Sequence, residues 1–158
     1  MKHISFNING LRARPHQLAE LIATHQPDVI GLQEIKVADE QFPEQMVRDL
    51  GYEVHYHGQK GHYGVALLSR LKPLAIHKGF PDDEDDAQRR FIWSVYADSN
   101  GTPITVMNGY FPQGENISHP TKFPDKIKFY ADLQNLLETR FTPEDALVVM
   151  GDFNISPQ

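Results

Sequence analysis

The chain has 158 residues, of which 40% are hydrophobic and 23% charged, as in an ordinary globular protein. It contains no cysteine, which excludes a disulfide framework and a thiolate metal site, and its net charge of −6 argues against a uniformly basic nucleic-acid binder. It shows no signal-peptide pattern and no apolar segment of membrane-spanning length, so we expect one soluble, cytoplasmic domain over residues 1–158.

The first third of the chain predicts alternating strands and helices. The apolar run from His3 to Ile8 is typical of a strand. Pro15 suits the first turn of a helix whose apolar residues then recur at helical spacing. A second strand is predicted from Asp28 to Gln33, and a second helix from Pro43 to Leu50.

The middle of the chain predicts consecutive strands, and the last third predicts a long helix and a final strand. Asn100-Gly101 is a strong hairpin signal. A long loop precedes the helix at 124–141, and the final strand starts at Ala146. This pattern favours an α/β fold, with a mixed β-sheet and helices packed outside it. The strand-like runs are 52–57, 64–70, 74–79, 91–98 and 102–110.

Polar side chains stand where three of the predicted strands end. Asn7 and Glu34 end the first two strands, and Asp152 and Asn154 follow Gly151 at the end of the last. If these strands are parallel neighbours, their carboxyl ends converge on one crevice. Carboxylate and amide oxygens suit a hard cation such as Mg²⁺ or Mn²⁺, whereas the absence of cysteine and of compact histidine spacing disfavours zinc.

Other candidate residues allow two interpretations each. Tyr110 ends a strand, where it could pack at the sheet edge or donate a hydrogen bond to a phosphate. His62 lies on a glycine-punctuated turn, which could be a plain hairpin tip or could contact a nucleic-acid groove. Arg12 could contact a phosphate or serve as a surface residue at a helix start.

Five ordered segments carry a resemblance to a known family. They are Ser5–Ala13, Gly31–Lys36, Gly64–Ser69, Asn108–Pro112 and Gly151–Asn154. With them, essentially the whole chain resembles the bacterial exodeoxyribonuclease III family, in the apurinic/apyrimidinic endonuclease group of the endonuclease/exonuclease/phosphatase superfamily. Ile35 departs from the threonine that is common in this family.

The resemblance implies a role for each matching position. Glu34 is the implied main metal ligand, with Asn7 beside the metal. Asp152 is implied to orient or deprotonate the attacking water, and Asn154 to hold that water or the phosphate. Tyr110 is implied to bind the scissile phosphate. The residues implied to face DNA are Arg12, His62 and Arg90.

The resemblance also implies that this chain is an amino-terminal portion, cut before the second half of a four-layer α/β sandwich. That second half supplies an Asp near the metal and an Asp-His pair that contacts the phosphate. We therefore expect weak or no activity from this chain alone. We also expect an uncovered apolar sheet face, through which the chain could self-associate.

The implied function is Mg²⁺-dependent DNA repair, as a 3′-to-5′ exonuclease on duplex DNA and an endonuclease at abasic sites. One alternative is a phosphoesterase of the same superfamily that acts on inositol phosphates or sphingomyelin. The segments Asn7–Arg12 and Gly109–Gln113 favour the DNA branch. The other alternative is a non-catalytic half that acts only by association.

Overall fold

The structure, a computed structural model, describes residues 1–154. No helix in this range is both long and apolar enough to cross a bilayer. Single turns of 3₁₀-helix cover Leu11–Ala13 and Asp39–Gln41. The helices are α1 (Pro15–His25), α2 (Glu44–Asp49) and α3 (Lys122–Arg140). The strands are β1 (His3–Asn7), β2 (Val29–Gln33), β3 (Glu53–His57), β4 (Val65–Ser69), β5 (Ala75–Lys78), β6 (Phe91–Ala97), β7 (Pro103–Tyr110) and β8 (Leu147–Asp152).

These strands form two four-stranded mixed sheets. Sheet A has the order β1-β2-β4-β3, in which β1 and β2 are parallel and the other pairs antiparallel. Sheet B has the order β5-β6-β7-β8, in which β7 and β8 are parallel. The parallel pairs matter for the site, because parallel neighbours end on the same side of a sheet.

The chain passes from one sheet to the other at a tight turn after β4. The Ser69 hydroxyl accepts a hydrogen bond from the backbone N–H of Leu71 at 2.8 Å and lies 2.6 Å from the Leu71 carbonyl oxygen. A hydroxyl that bonds the backbone two residues later favours a turn over a continued strand. The next three strands then pair as antiparallel neighbours, which builds sheet B.

Three apolar clusters hold four layers together. The first lies between sheet A and the helices α1 and α2, and includes Leu18 and Val47. The second lies between the sheets and joins Leu67 of sheet A to Val106 and Met150 of sheet B. The third covers the outer face of sheet B with helix α3. Both faces of each sheet are therefore packed within the described residues.

The predicted α/β class, with mixed pairing and outer helices, is confirmed. The prediction that one apolar sheet face is left uncovered is wrong. The strands divide into two sheets, and sheet B buries the inner face of sheet A, where Val29, Val65 and Leu67 are fully buried. Self-association through that face therefore has no structural basis.

Acid is expected to destabilise this fold through His57 on β3. Burial, reinforced by Arg89, lowers the pKa of His57 from 6.5 to about 4. Between those pH values the unfolded chain binds more protons than the folded protein, so stability falls as the pH decreases. In His57→Gln, we expect the loss of stability between pH 7 and pH 4.5 to be smaller by about 1 kcal/mol, after allowance for partial solvent exposure. Urea unfolding at both pH values measures this, and an unchanged loss would contradict it.

Candidate metal and phosphate site

The two parallel strand pairs end at a common crevice between the sheets. Asn7 at the end of β1 pairs with Gln33 at the end of β2, directly before Glu34. Tyr110 at the end of β7 pairs with Asp152 at the end of β8. Strands β1 and β8 lie against each other across the interface between the sheets. Side chains from four strand ends therefore face one small volume.

The Asn7 side chain joins carboxylates from the two sheets. Its Nδ2 donates to Glu34 Oε1 at 3.1 Å and to Asp152 Oδ2 at 3.0 Å. Its Oδ1 accepts from the backbone N–H of Asn9 at 3.1 Å, which fixes the orientation of the amide. The structure thus brings Asn7, Glu34 and Asp152 together, although Glu34 and Asp152 belong to different sheets.

The Glu34 carboxylate is kept ionised by its neighbours, and its pKa is lowered. Burial alone would raise this pKa, but hydrogen bonds from Tyr110, Asn7 and Lys36 outweigh the burial. Lys36 Nζ lies 3.2 Å from Glu34 Oε2 and donates to Asn9 Oδ1 at 2.6 Å. An ionised carboxylate at the mouth of the crevice is what a cation ligand requires.

Tyr110 is held as a neutral phenol beside this carboxylate. Burial raises its pKa, and hydrogen bonding to Glu34 raises it further. The Arg90 guanidinium lies between two rings, 4.8 Å from the centroid of Tyr110 and 4.4 Å from that of Tyr63. Arg90 Nη1 also donates to the Tyr110 carbonyl oxygen at 3.0 Å. A phenol that stays protonated can donate a hydrogen bond to a phosphate oxygen.

The contacts that the structure gives for Asn154, His62 and Arg12 are with residues other than the two carboxylates. Asn154 follows Asp152 by two residues, and its Nδ2 donates to the Phe111 carbonyl oxygen at 2.9 Å. His62 is exposed at the rim, with its ring 5.9 Å from that of Tyr63. Arg12 is exposed and donates to Gln41 Oε1 at 3.1 Å, and this hydrogen bond does not join it to the carboxylates.

Left-handed backbone conformations concentrate around the crevice. Seven described non-glycine residues have positive φ, and five of them belong to the segments that form the site. Such conformations are uncommon for residues with a side chain and persist where surrounding contacts fix them. The five residues, with φ values of 48–57°, are Asn9, Glu34, Lys36, Tyr63 and Asn154.

The donor set fits a hard divalent cation. The Asn7 amide hydrogens stand between two carboxylates, at a point where negative charge from both sheets converges. The amide oxygen would serve as a ligand if a bound cation turned the amide over and replaced its present hydrogen bonds. Within the described residues, no three His, Cys, Asp or Glu side chains form a metal-binding group. Two carboxylates and one amide suit Mg²⁺ or Mn²⁺, which retain several waters and meet substrate oxygens.

A second group of carboxylates lies apart from this crevice. Four residues of the acidic loop at 82–86 line a surface cavity of about 350 Å³ together with Asp125, Asp132 and Lys128; the four are Asp82, Asp83, Glu84 and Asp86. Asn7, Glu34 and Asp152 do not line that cavity. The acidic loop is therefore a competing location for nonspecific cation binding, and it must be distinguished from the crevice by experiment.

Sequence reasoning missed three residues that contact the predicted site. Lys36 and Asn9 both fall inside segments that carry the family resemblance, and this was the available signal. Tyr63 follows His62 on the glycine-punctuated turn. Its contact with Arg90 depends on a turn that places two distant segments side by side, and no local pattern in the sequence encodes that.

Comparison with known proteins gives a consistent result. The model of the "Endonuclease/Exonuclease/phosphatase family" matches residues 4–158. An exodeoxyribonuclease III from Haemophilus influenzae is 60% identical over 99% of this chain and 58% of its own length. A 3′ phosphatase from Neisseria bound to a product DNA hairpin aligns with a TM-score of 0.88 at 34% identity, over 100% of this chain and 59% of that one. An AP endonuclease from Archaeoglobus fulgidus aligns with a TM-score of 0.86 at 33% identity, over 98% of this chain and 58% of that one.

Proposed function

The chain belongs to the endonuclease/exonuclease/phosphatase family, and from that membership we propose that it acts in DNA repair as a phosphodiester-cleaving nuclease dependent on Mg²⁺ or Mn²⁺. Its proposed activities are 3′-to-5′ exonuclease on duplex DNA and endonuclease at abasic sites. The observation that carries the proposal is the Asn7 amide between Glu34 and Asp152, two carboxylates from different sheets. A cytoplasmic location belongs to the same proposal.

The relatives support the DNA branch of the family. The Haemophilus relative at 60% identity is an exodeoxyribonuclease III, and the Archaeoglobus structure is an AP endonuclease. This chain spans about 58% of the length of the Haemophilus relative. The activity and the substrates of that whole protein are therefore proposals for this chain.

Each site residue has one proposed task in the reaction. Glu34 and Asn7 would hold the cation, which neutralises charge on the phosphate when it is bound. Asp152 would accept a proton from the attacking water at a carboxylate oxygen. Asn154 would orient that water or the phosphate. Tyr110 would donate a hydrogen bond to a phosphate oxygen, which its raised pKa favours.

DNA would be bound by basic side chains around this crevice. Arg90 is fixed beside Tyr110, so it could meet a phosphate next to the scissile one. His62 and Arg12 are exposed and belong to separate loops, where they could contact the flanking backbone. Such contacts bind without reading sequence, and added salt weakens them.

Two alternatives make different demands on the same crevice. A phosphoesterase that acts on inositol phosphates or sphingomyelin would use the same ion and carboxylates with a small or lipid substrate. A non-catalytic half that acts by association would bind DNA without cutting it. The segments Asn7–Arg12 and Gly109–Gln113 favour the nuclease over the phosphoesterase, because both overlap segments that carry the resemblance to DNA-cleaving relatives.

The proposal is tested by incubating the 158-residue protein with Mg²⁺ and a duplex that contains one abasic site. We expect metal-dependent cleavage at a rate below that of the Haemophilus relative. Asp152→Asn is expected to reduce it by at least about 100-fold, because general-base catalysis typically contributes that much. Asp145→Asn is the matched control. It lies in a surface turn, where it accepts from the N–H of Thr142, and should retain the rate.

Other outcomes would assign a different function. Hydrolysis of an inositol phosphate with no cleavage of DNA would support the phosphoesterase. DNA binding without any cleavage would support the non-catalytic alternative. A rate equal to that of the Haemophilus relative would contradict the expected weak activity.

A further inference from the structure

A buried polar pair crosses the apolar layer between the two sheets. Gln33 of sheet A is 1% exposed and Asn108 of sheet B is fully buried. Gln33 Nε2 donates to Asn108 Oδ1 at 2.7 Å. The cluster around this pair is built from apolar side chains such as Val29, Leu67 and Val106. A polar pair in such a layer must be fully hydrogen-bonded to avoid a large desolvation cost.

The Asn108 side chain also bonds the backbone of the opposite sheet. Its Nδ2 donates to the Leu32 carbonyl oxygen at 3.0 Å and to the Ala66 carbonyl oxygen at 2.8 Å. These carbonyls belong to the neighbouring strands β2 and β4. One side chain of sheet B is therefore fixed to two strands of sheet A.

Gly31 makes this approach possible. A Cβ atom at this position would lie 2.8 Å from Asn108 Cγ and 2.7 Å from Met150 Cε, distances that real Cβ atoms essentially never show. The chain thus leaves room on β2 for the Asn108 amide. Gly31 therefore allows the hydrogen bonds that Asn108 makes across the sheets. We call the hydrogen-bonded pair of Gln33 and Asn108 the Gln33–Asn108 bridge.

The bridge lies directly behind the candidate site. Gln33 is the residue before Glu34 and pairs with Asn7 on β1. Asn108 lies two residues before Tyr110. Apolar contacts between sheets are nondirectional, so they tolerate small shifts of one sheet along the other. Hydrogen bonds of defined direction do not tolerate such shifts.

We propose that Gln33 and Asn108 are positioning residues, whose bridge sets the offset between the sheets and thereby places Glu34 and Asn7 against Asp152. The cation-binding part of this inference rests on the proposed function. The competing explanation is that the pair contributes only to stability, as any satisfied buried polar pair does. The two explanations differ for a variant that lacks the bridge and still folds. Positioning residues would disturb the site in that variant, whereas a purely stabilising pair would leave the site unchanged.

The test compares Gln33→Met with Val106→Ala. Gln33→Met removes the donor to Asn108 and keeps a side chain of similar length. Val106→Ala weakens the same intersheet layer two residues further from the site, so it controls for lost stability. Two properties are measured in each: the NMR shift of the Asn7 side-chain amide, which reports its contacts with both carboxylates without any metal, and the affinity for Mn²⁺.

We expect Gln33→Met to move the Asn7 amide signal towards its solvent-exposed value and to weaken Mn²⁺ binding by at least about tenfold. This is the lower end of the effect of residues that orient metal ligands. Val106→Ala should leave the Asn7 signal in place and change the affinity less than twofold. Should Gln33→Met fail to fold, Asn108→Ser removes the same contact and keeps a small polar group.

An unchanged Asn7 signal and affinity in the folded Gln33 variant would overturn the proposal. So would equal effects in the Val106 variant, because the pair would then act through stability alone. If the unsubstituted protein shows the Asn7 signature without binding Mn²⁺, the proposed function fails. In that case the Asn7 signal of the Gln33 variant still tests whether the Gln33–Asn108 bridge positions the Asn7 side chain.

Discussion

Replacing Gly151 with alanine is expected to lower the free energy of unfolding by at least about 4 kcal/mol. A Cβ at Gly151 would lie 1.9 Å from the carbonyl oxygen of Gly109, the residue with which it pairs on β7. The obstructing atom is backbone inside a sheet, so no side-chain rotation can relieve the clash. The strand ends that carry Tyr110 and Asp152 must separate, and the site should be lost with the stability.

Gly101→Ala is the matched control. Gly101 also has a positive φ, of 79°, but a Cβ there meets nothing within 4 Å. Its cost should be that of the left-handed conformation alone, about 1–2 kcal/mol. Denaturant unfolding of both variants measures the difference. Equal stability of the Gly151 and Gly101 variants would show that β7 and β8 do not approach as closely as the structure has them.

Replacing Glu34 with glutamine is expected to weaken Mn²⁺ binding by about 100-fold, or about 2.7 kcal/mol. The substitution keeps the size of the side chain and removes the charge that a hard cation requires. The fold should remain, because both side chains of the Glu34–Lys36 ion pair keep some contact with solvent, and ion pairs near the surface contribute little to stability. Calorimetric titration with Mn²⁺ gives the affinity, and circular dichroism checks the fold.

Glu53→Gln controls for the loss of one negative charge. Glu53 lies on β3, paired with Arg48 at 3.3 Å and away from the crevice. This variant should bind Mn²⁺ as the unsubstituted protein does. A similar loss of affinity in both variants would mean that the overall charge, and not Glu34, governs binding.

Local patterns in the sequence were sufficient for the strands, the long helix and the polar strand ends. Apolar runs that stop at Asn7, Glu34 and Asp152 placed these residues at strand ends, where the structure has them. The Asn100-Gly101 turn joins β6 and β7, as expected for that dipeptide. Helix α3 begins at Lys122, two residues before the predicted start, because Pro124 is accommodated within its first turn.

The division into two sheets could not be predicted in the same way. Strand signals report whether a segment is extended, and they do not report which strand it pairs with. The turn at Ser69 redirects the chain through side-chain and backbone bonds over three residues. The Gln33–Asn108 bridge joins positions 75 residues apart, so no pattern along the chain reveals it. The contact of Lys36 with Glu34 depends on the left-handed backbone conformation of both residues, which the local sequence does not reveal.

The most direct test of the shared crevice is paramagnetic broadening by Mn²⁺ in the NMR spectrum of the 158-residue protein. We expect the backbone amide signals of Asn7, Glu34 and Asp152 to broaden together at substoichiometric Mn²⁺, before those of the acidic loop at 82–86. Broadening confined to the acidic loop at 82–86, with those three signals unaffected, would contradict a divalent-cation site between the two sheets.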